Sequence, residues 1–148
     1  MKLRVKIVLN TKGLKDCVSM NLDDLIKLLA CGEDSCHQFK RDFTNADAMA
    51  AEIIAFANTT GGQLFIGVND AGEILGLTAK DVSRLNQLLS NAASQHVKPP
   101  LNPLSSNIHT NSGLVMVVEV PKGLNKPYVD NQGRIWVKSG ADKRHVTA

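Results

Sequence analysis

Aromatic residues and cysteines are scarce in this 148-residue sequence, and a long apolar run is absent. Cys17, Cys31 and Cys36 form an odd and sparse set, which argues against a disulfide scaffold and indicates a reducing compartment. No stretch approaches the roughly 18 consecutive apolar residues of a membrane span. The apolar run at residues 7–9 is also too short for a signal peptide. We therefore expect a cytoplasmic protein with no membrane partner.

A metal centre built from cysteine and histidine is not predicted either. Cys31, Cys36 and His37 match no zinc-ligand spacing, and no second Cys/His pair lies downstream. The other histidines lie apart from one another in the sequence. Isolated cysteines are usually ordinary core or surface thiols. We therefore expect neither a metal of this type nor a cofactor.

The formal net charge of +3 is distributed unevenly along the chain. Residues 1–20 contain five basic residues and one acidic residue, whereas residues 21–118 contain six basic and ten acidic residues. Residues 119–148 contain six basic and three acidic residues. An acidic middle between two basic ends is a mild indication of an anionic partner.

Helical periodicity and capping residues predict three helices. The first begins after Asn21 and stops at Gly32, the second covers residues 46–58, and the third covers residues 79–96. Two prolines at 99 and 100 end the third helix because proline cannot continue it. The first twenty residues read differently, as basic groups spread among small apolar ones. We therefore expect an N-terminal extension over residues 1–19 and one domain over residues 20–148.

Strand patterns fill the rest of the chain. Residues 64–68 form a strong strand with a short partner at 73–77, and residues 104–110 and 114–120 flank a hairpin loop. Residues 128–129 and 134–138 are predicted to form a second hairpin around the turn at 130–133. The run at 114–118 does not alternate, which is typical of a central strand covered on both faces. The predicted fold class is α+β, a mixed and mostly antiparallel sheet packed with about three helices.

Basic residues recur at Lys40 and Arg41, in a short extended segment predicted over residues 35–43, and through the last strands and turns. On a strand, Arg134, Trp136 and Lys138 share one face because side chains repeat with a period of two. Cations beside a tryptophan suit phosphate groups with a base stacked between them. The same pattern fits a solvated, charged sheet face with a partly covered tryptophan, and the residues alone leave both interpretations open.

Two longer motifs resemble a known family. Residues 32–40, GEDSCHQFK, are similar to the opening G-E-x-x-x-x-E-F-K of the AlbA-type domain of the Schlafen group. Residues 55–72, AFANTTGGQLFIGVNDAG, resemble its central signature, and later motifs follow in the order that the family shows. The resemblance covers residues 20–148, and the central signature is long enough to be specific.

The resemblance implies an AlbA-like fold and a nucleic-acid-binding module that in bacteria and archaea forms the N-terminal part of longer, regulator-like proteins. It implies that the full-length protein has further domains after Ala148. We therefore predict the DNA-binding domain of a transcriptional regulator, with DNA ahead of RNA as its partner and contacts made mainly to the phosphate backbone. The predicted nucleic-acid-binding residues are Lys40, Arg41, Lys126, Arg134, Trp136, Lys138, Lys143 and Arg144.

Two alternatives stay open. Some animal members of the family are RNA endonucleases, and by resemblance Glu33 matches the first catalytic acid while a later acid falls near Asp70. The opening motif of the family has a second acid just before the phenylalanine, and this position is Gln38 here. An amide is a weak metal ligand beside a carboxylate. A ribonuclease using Glu33 and Asp70 with magnesium or manganese is therefore ranked below binding. The other alternative is an oligomerisation or partner-docking module of a regulator, and in the case of oligomerisation the domain would form a homo-oligomer.

Overall fold

The computed structural model describes residues 20–146, so the predicted extension at residues 1–19 lies outside the described residues. Within the described part the chain forms three helices and six strands. Their bounds are α1 Leu22–Cys31, β1 His37–Lys40, α2 Ala46–Ala57, β2 Gly62–Ile66, α3 Ala79–Gln95, β3 Leu104–Thr110, β4 Gly113–Val120, β5 Ile135–Ser139 and β6 Asp142–Val146. None of the helices in this part is long and apolar enough to cross a membrane.

The helices begin and end where local chemistry dictates. The side chain of Asn21 accepts a hydrogen bond from the backbone N–H of Asp24, at 2.8 Å, and so caps α1. Gly32 ends α1 with a positive φ of 83°. Thr78 and Asp81 form a reciprocal capping box at the start of α3. The predicted positions of all three helices are confirmed to within a residue or two at each end.

The four-stranded sheet has the order β1-β2-β4-β3. Strands β1 and β2 pair in parallel, whereas β4 pairs antiparallel to both β2 and β3. The sheet is therefore mixed and mostly antiparallel, which confirms the α+β prediction. Strand β4 lies between two neighbours and is buried from Val115 to Val118, as its non-alternating sequence predicted.

The two faces of the sheet are covered by different helices. Leu64 and Ile66 pack with α2 and α3, whereas Phe65 packs on the opposite face with α1. Strand β1 obeys the same alternation, because Phe39 joins the α1 side. Its neighbours Gln38 and Lys40 therefore face the α2 side. This alternation places polar side chains of an edge strand beside α2.

The predicted second hairpin is wrong in its pairing. Val129 forms an isolated bridge with Lys98 and not with residues 134–138. Strand β5 pairs instead with β6, which puts the reversal at Gly140, where φ is 65°. Asp130 explains the difference, because its carboxylate closes residues 130–134 into a compact turn before β5 begins. The β5–β6 hairpin packs against α2.

Candidate functional site

A polar cleft of about 510 Å³ lies between β1, α2 and the β5–β6 hairpin. We call it the polar cleft. Its lining residues are Glu33, Gln38, Lys40, Glu52, Ser139, Ala141, Asp142, Lys143 and Arg144. The cleft therefore draws charged and amide groups from separate elements to one place, although these residues are far apart in the sequence.

Glu52 is the centre of the polar cleft. It lies in α2, where ten of the twelve residues are buried, and its side chain is only 3% exposed. Its Oε2 contacts Nζ of Lys40 at 3.4 Å and Nζ of Lys143 at 3.1 Å. A buried carboxylate is costly unless it is paired, so these ion pairs stabilise Glu52 and hold both ammonium groups in position.

A second set of contacts joins Glu33, Gln38 and Lys138. Oε2 of Glu33 accepts from Nε2 of Gln38 at 2.6 Å and from the backbone N–H of Phe39 at 2.8 Å. The other end of the amide, Oε1 of Gln38, accepts from Nζ of Lys138 at 2.6 Å. Lys138 also donates to the carbonyl of Ala141 at 2.9 Å. These bonds tie the hairpin to β1.

Burial lowers the pKa of Lys138, because the ammonium group loses solvent beside the ring of Phe56, 5.1 Å from its centroid. The neighbouring charge of Lys143 lowers it further, whereas Glu52 and Glu33 oppose the shift. Lys138 is thus a partly desolvated cation that joins the β5–β6 hairpin to β1.

The central signature holds the hairpin in place. The side-chain amide of Asn58, at the end of α2, donates to the carbonyl of Trp136 at 2.8 Å and accepts from the backbone N–H of Tyr128 at 2.7 Å. Gly61 adopts a φ of 78°, and a Cβ there would lie 2.8 Å from the backbone of residues 120 and 122. A Cβ on Gly62 would overlap the ring of Phe56. The glycine pair therefore serves close packing.

Trp136 and Arg134 belong to a neighbouring cluster around Asp130, which we call the Asp130 anchor and which meets the polar cleft at Lys143. The indole N–H of Trp136 donates to Oδ2 of Asp130 at 3.0 Å, and Nε of Arg134 donates to the same oxygen at 2.9 Å. The guanidinium group of Arg134 lies 5.3 Å from the centroid of the indole ring, as does Nζ of Lys143. Cations of this domain thus already lie against the tryptophan ring.

Opposing effects set the pKa of Asp130. Burial raises it, but the hydrogen bonds from Arg134, Trp136 and Gln132 outweigh burial and hold the pKa below its usual value. The carboxylate therefore remains ionised and keeps its donors. This cluster fixes the path of the chain into β5.

The structure brings together some of the predicted binding residues and separates others. Lys40, Lys143 and Arg144 line the polar cleft, and Lys138 lies beside it. Arg134 and Trp136 belong to the Asp130 anchor, and Lys126 lies near the end of α2, where its Nζ donates to the carbonyl of Thr59. Arg41 and Arg144 are exposed and form no ion pair within residues 20–146.

The residues named for the ribonuclease alternative do not fit a divalent cation. Glu33 lines the cleft, but the amide of Gln38 and a backbone N–H occupy one of its oxygens. Gln38 faces the ammonium group of Lys138, which repels a metal ion. Asp70 is exposed in the turn after β2 and is not among the residues lining the cleft. In residues 20–146 no group of three or more His, Cys, Asp or Glu residues is placed to hold a metal.

Glu52 is not among the site residues that the sequence predicts. The available signal was its setting, because Glu52 is the lone charged residue within the run from Met49 to Phe56, which is buried throughout. A charge that is buried on a helix without polar neighbours needs a partner from elsewhere in the fold. The identity of that partner depends on tertiary structure.

Comparison with known families identifies the domain. The family model described as Schlafen, AlbA_2 matches residues 33–147, which is well over half of the chain. The chain therefore belongs to the Schlafen AlbA_2 family, and the resemblance of its motifs is confirmed. No curated protein matches the chain.

Solved structures share the fold. A protein from Corynebacterium diphtheriae matches with a TM-score of 0.59 and 21% identity over 85% of this chain. The match covers only 26% of that protein, so the chain spans about a quarter of its length. A second match is the N-terminal domain of a protein from Nitrosomonas europaea that is described as related to the ATP-dependent DNA helicase RecG. Its TM-score is 0.56 and its identity is 22%. That match covers 88% of this chain and 96% of the Nitrosomonas domain.

Proposed function

We propose that this domain binds nucleic acid through the polar cleft and its rim, with DNA ahead of RNA as the partner, and that it serves a transcriptional regulator. Family membership supports nucleic-acid binding, and the name of the Nitrosomonas relative favours DNA. The observation that carries the proposal is the convergence of Lys40, Lys143 and Arg144, which come from β1 and β6, on one cleft.

Glu52 brings two of the cleft's cations close to one another. Each lysine uses part of its ammonium group on Glu52 and has further N–H donors for an anion. Arg144 is exposed at the rim and can bind a phosphate in a bidentate manner. Lys138 contributes to the local positive potential although two of its three N–H donors are used within the domain.

The other predicted cations contribute in different ways. Arg41 follows Lys40 in the chain and is exposed, but it is not among the residues that line the cleft. Arg134 is held by Asp130 and mainly supports the structure. Trp136 lies between cations of this domain and donates its indole N–H internally, so phosphate contacts rather than base stacking account for most of the expected affinity.

The experiment is a fluorescence-anisotropy titration of the chain against labelled single- and double-stranded DNA and RNA of one sequence, over a series of salt concentrations. We expect the affinity to fall with salt, because each phosphate contact releases condensed counterions. We expect DNA to bind at least as tightly as RNA. A peptide nucleic acid of the same sequence is the matched control, since its backbone is uncharged. A salt slope near zero, or equal affinity for the uncharged control, would contradict the proposal.

A further inference from the structure

One oxygen of Glu52 has no hydrogen-bond partner. Its Oε2 receives both lysines, whereas Oε1 is buried and lacks a donor within residues 20–146. Buried carboxylate oxygens in native structures almost always have a donor, and each exception calls for an explanation. Glu52 lines the polar cleft, so a donor could come from a molecule bound there.

A lysine side chain has a flexible four-carbon stem, so Lys40 and Lys143 can exchange their contact with Glu52 for another anion without a change of the backbone. Lys40 and Lys143 are 35% and 26% exposed, and their long side chains reach the cleft from different strands. An anion in the cleft would attract both ammonium groups and weaken their contacts with Glu52. A phosphate alone would therefore leave the buried carboxylate with poorer compensation, which is unfavourable. A molecule that carries an anion and a hydrogen-bond donor would satisfy the lysines and Glu52 together.

We propose that the polar cleft binds one nucleotide unit, with its phosphate on Lys40 and Lys143 and a donor of its nucleoside on Oε1 of Glu52. This inference rests on the proposed nucleic-acid binding and specifies how it is achieved. The cleft volume of about 510 Å³ is within the usual range for small-molecule sites. A cleft of this size suits a single unpaired nucleotide better than the backbone of a duplex. The donor is an amino group of the base or a hydroxyl group of the sugar.

The test is calorimetric titration of the chain with adenosine 5′-monophosphate, its 2′-deoxy form, adenosine and inorganic phosphate. A hydrogen bond to a charged group corresponds to about tenfold or more in affinity, so we expect the monophosphate to bind at least about tenfold more tightly than phosphate. Equal affinity for the deoxy form assigns the donor to the base or the 3′-hydroxyl. Weaker binding of the deoxy form assigns it to the 2′-hydroxyl.

The variant Glu52→Gln should change the affinities for phosphate and for the monophosphate in different ways. The amide replaces an acceptor oxygen with a donor and removes the charge that competes for the lysines. We expect phosphate to bind as well as before or more tightly, whereas the preference for the monophosphate falls to within about threefold. Glu119→Gln is the matched control, because Glu119 is exposed on β4 and does not line the cleft. It should leave the preference unchanged.

The unaltered chain supplies a second readout if Glu52→Gln fails to fold. In a ¹H–¹⁵N spectrum, the monophosphate should shift the side-chain amide of Gln38 and the backbone amides of residues 139–144. No preference over phosphate, or shifts confined to other parts of the chain, would overturn the inference. Oligonucleotides titrated in the same buffer separate the two claims. If they bind and the monophosphate does not, only the inference fails, whereas binding of neither means that the proposed function fails as well.

Discussion

Two acidic side chains are almost fully buried within residues 20–146, Glu52 at 3% exposure and Asp130 at 6%. Asp130 accepts four hydrogen bonds from Gln132, Arg134 and Trp136, all within six residues of itself. Glu52 receives ammonium groups from β1 and β6 on one oxygen and no donor on the other. The two carboxylates are buried to a similar degree. The hydrogen-bond partners of Asp130 are its near neighbours in the sequence, whereas the partners of Glu52 come from distant strands.

The difference separates a structural carboxylate from a candidate binding one. The partners of Asp130 include backbone N–H groups, which cannot move away without unfolding the turn. The partners of Glu52 are flexible side chains that can turn towards another anion. A fully satisfied network makes a part of the fold rigid, whereas a partly satisfied network is a place where a ligand can add a missing contact.

The largest effect is expected from Asp130→Asn. The amide presents N–H groups to the donors of Trp136 and Arg134, so it loses bonds and leaves buried groups unsatisfied. We expect a loss of about 3 kcal/mol in the free energy of unfolding, measured by urea denaturation. Asp70→Asn, in an exposed turn, should cost less than about 0.5 kcal/mol. Equal losses for the two variants would mean that the Asp130 anchor is not structural.

Trp136→Phe should have a smaller effect on stability. An aromatic ring is kept but it is smaller, and the hydrogen bond to Oδ2 of Asp130 is lost, which should together cost about 1–2 kcal/mol. Trp136→Ala removes the aromatic face altogether, and the affinity for single-stranded DNA should still change by less than about twofold, because cations of the domain already lie against the indole. Loss of a stacked base would instead cost about 1–3 kcal/mol. A tenfold loss of affinity in the anisotropy titration would instead assign Trp136 to base stacking.

Glu52→Gln should have the smallest effect on stability at neutral pH, about 0.5 kcal/mol or less. The variant loses ion pairs, but it also removes a buried charge, and the partly exposed lysines can be solvated. Urea denaturation beside the Glu119→Gln control measures the change. A loss as large as that of Asp130→Asn would show that Glu52 has the same structural role, and the contrast between the two carboxylates would fail.

Acid titration sharpens the same contrast. The folded-state pKa of Asp130 lies below its ordinary value of 3.8, so the unfolded chain takes up this proton first as the pH falls. The stabilisation is complete above pH 3.8 and is lost as the pH falls through the folded-state pKa. Asp130→Asn should therefore lose less stability than the unaltered chain as the pH falls below about 3.8. Parallel stability curves for the two proteins would contradict this assignment.

Much of the fold could be predicted from the sequence because its signals are local. Capping at Asn21 and Thr78, the glycine pair at the end of α2 and the apolar run of β4 each depend on near neighbours. The second hairpin was wrong because the carboxylate of Asp130 closes the turn at 130–134 without starting a strand pair.

The candidate site was predicted only in part. Lys40, Lys143 and Arg144 were selected for their charge, and they do line one cleft. The importance of Glu52 depends on contacts with β1 and β6 that no local pattern encodes. For the same reason, composition could not separate Arg134, which is held by Asp130, from the cations that remain available for a ligand.

The most direct measurement compares the salt dependence of DNA binding between two double variants of equal charge. Lys143→Gln with Arg144→Gln removes cations of the polar cleft, whereas Lys27→Gln with Lys80→Gln removes exposed cations of α1 and α3. The first variant should bind at least about tenfold more weakly and lower the log–log salt slope by about 1.5, while the second leaves the slope near that of the unaltered chain. Equal slopes for the two variants would contradict the assignment of nucleic-acid binding to the polar cleft.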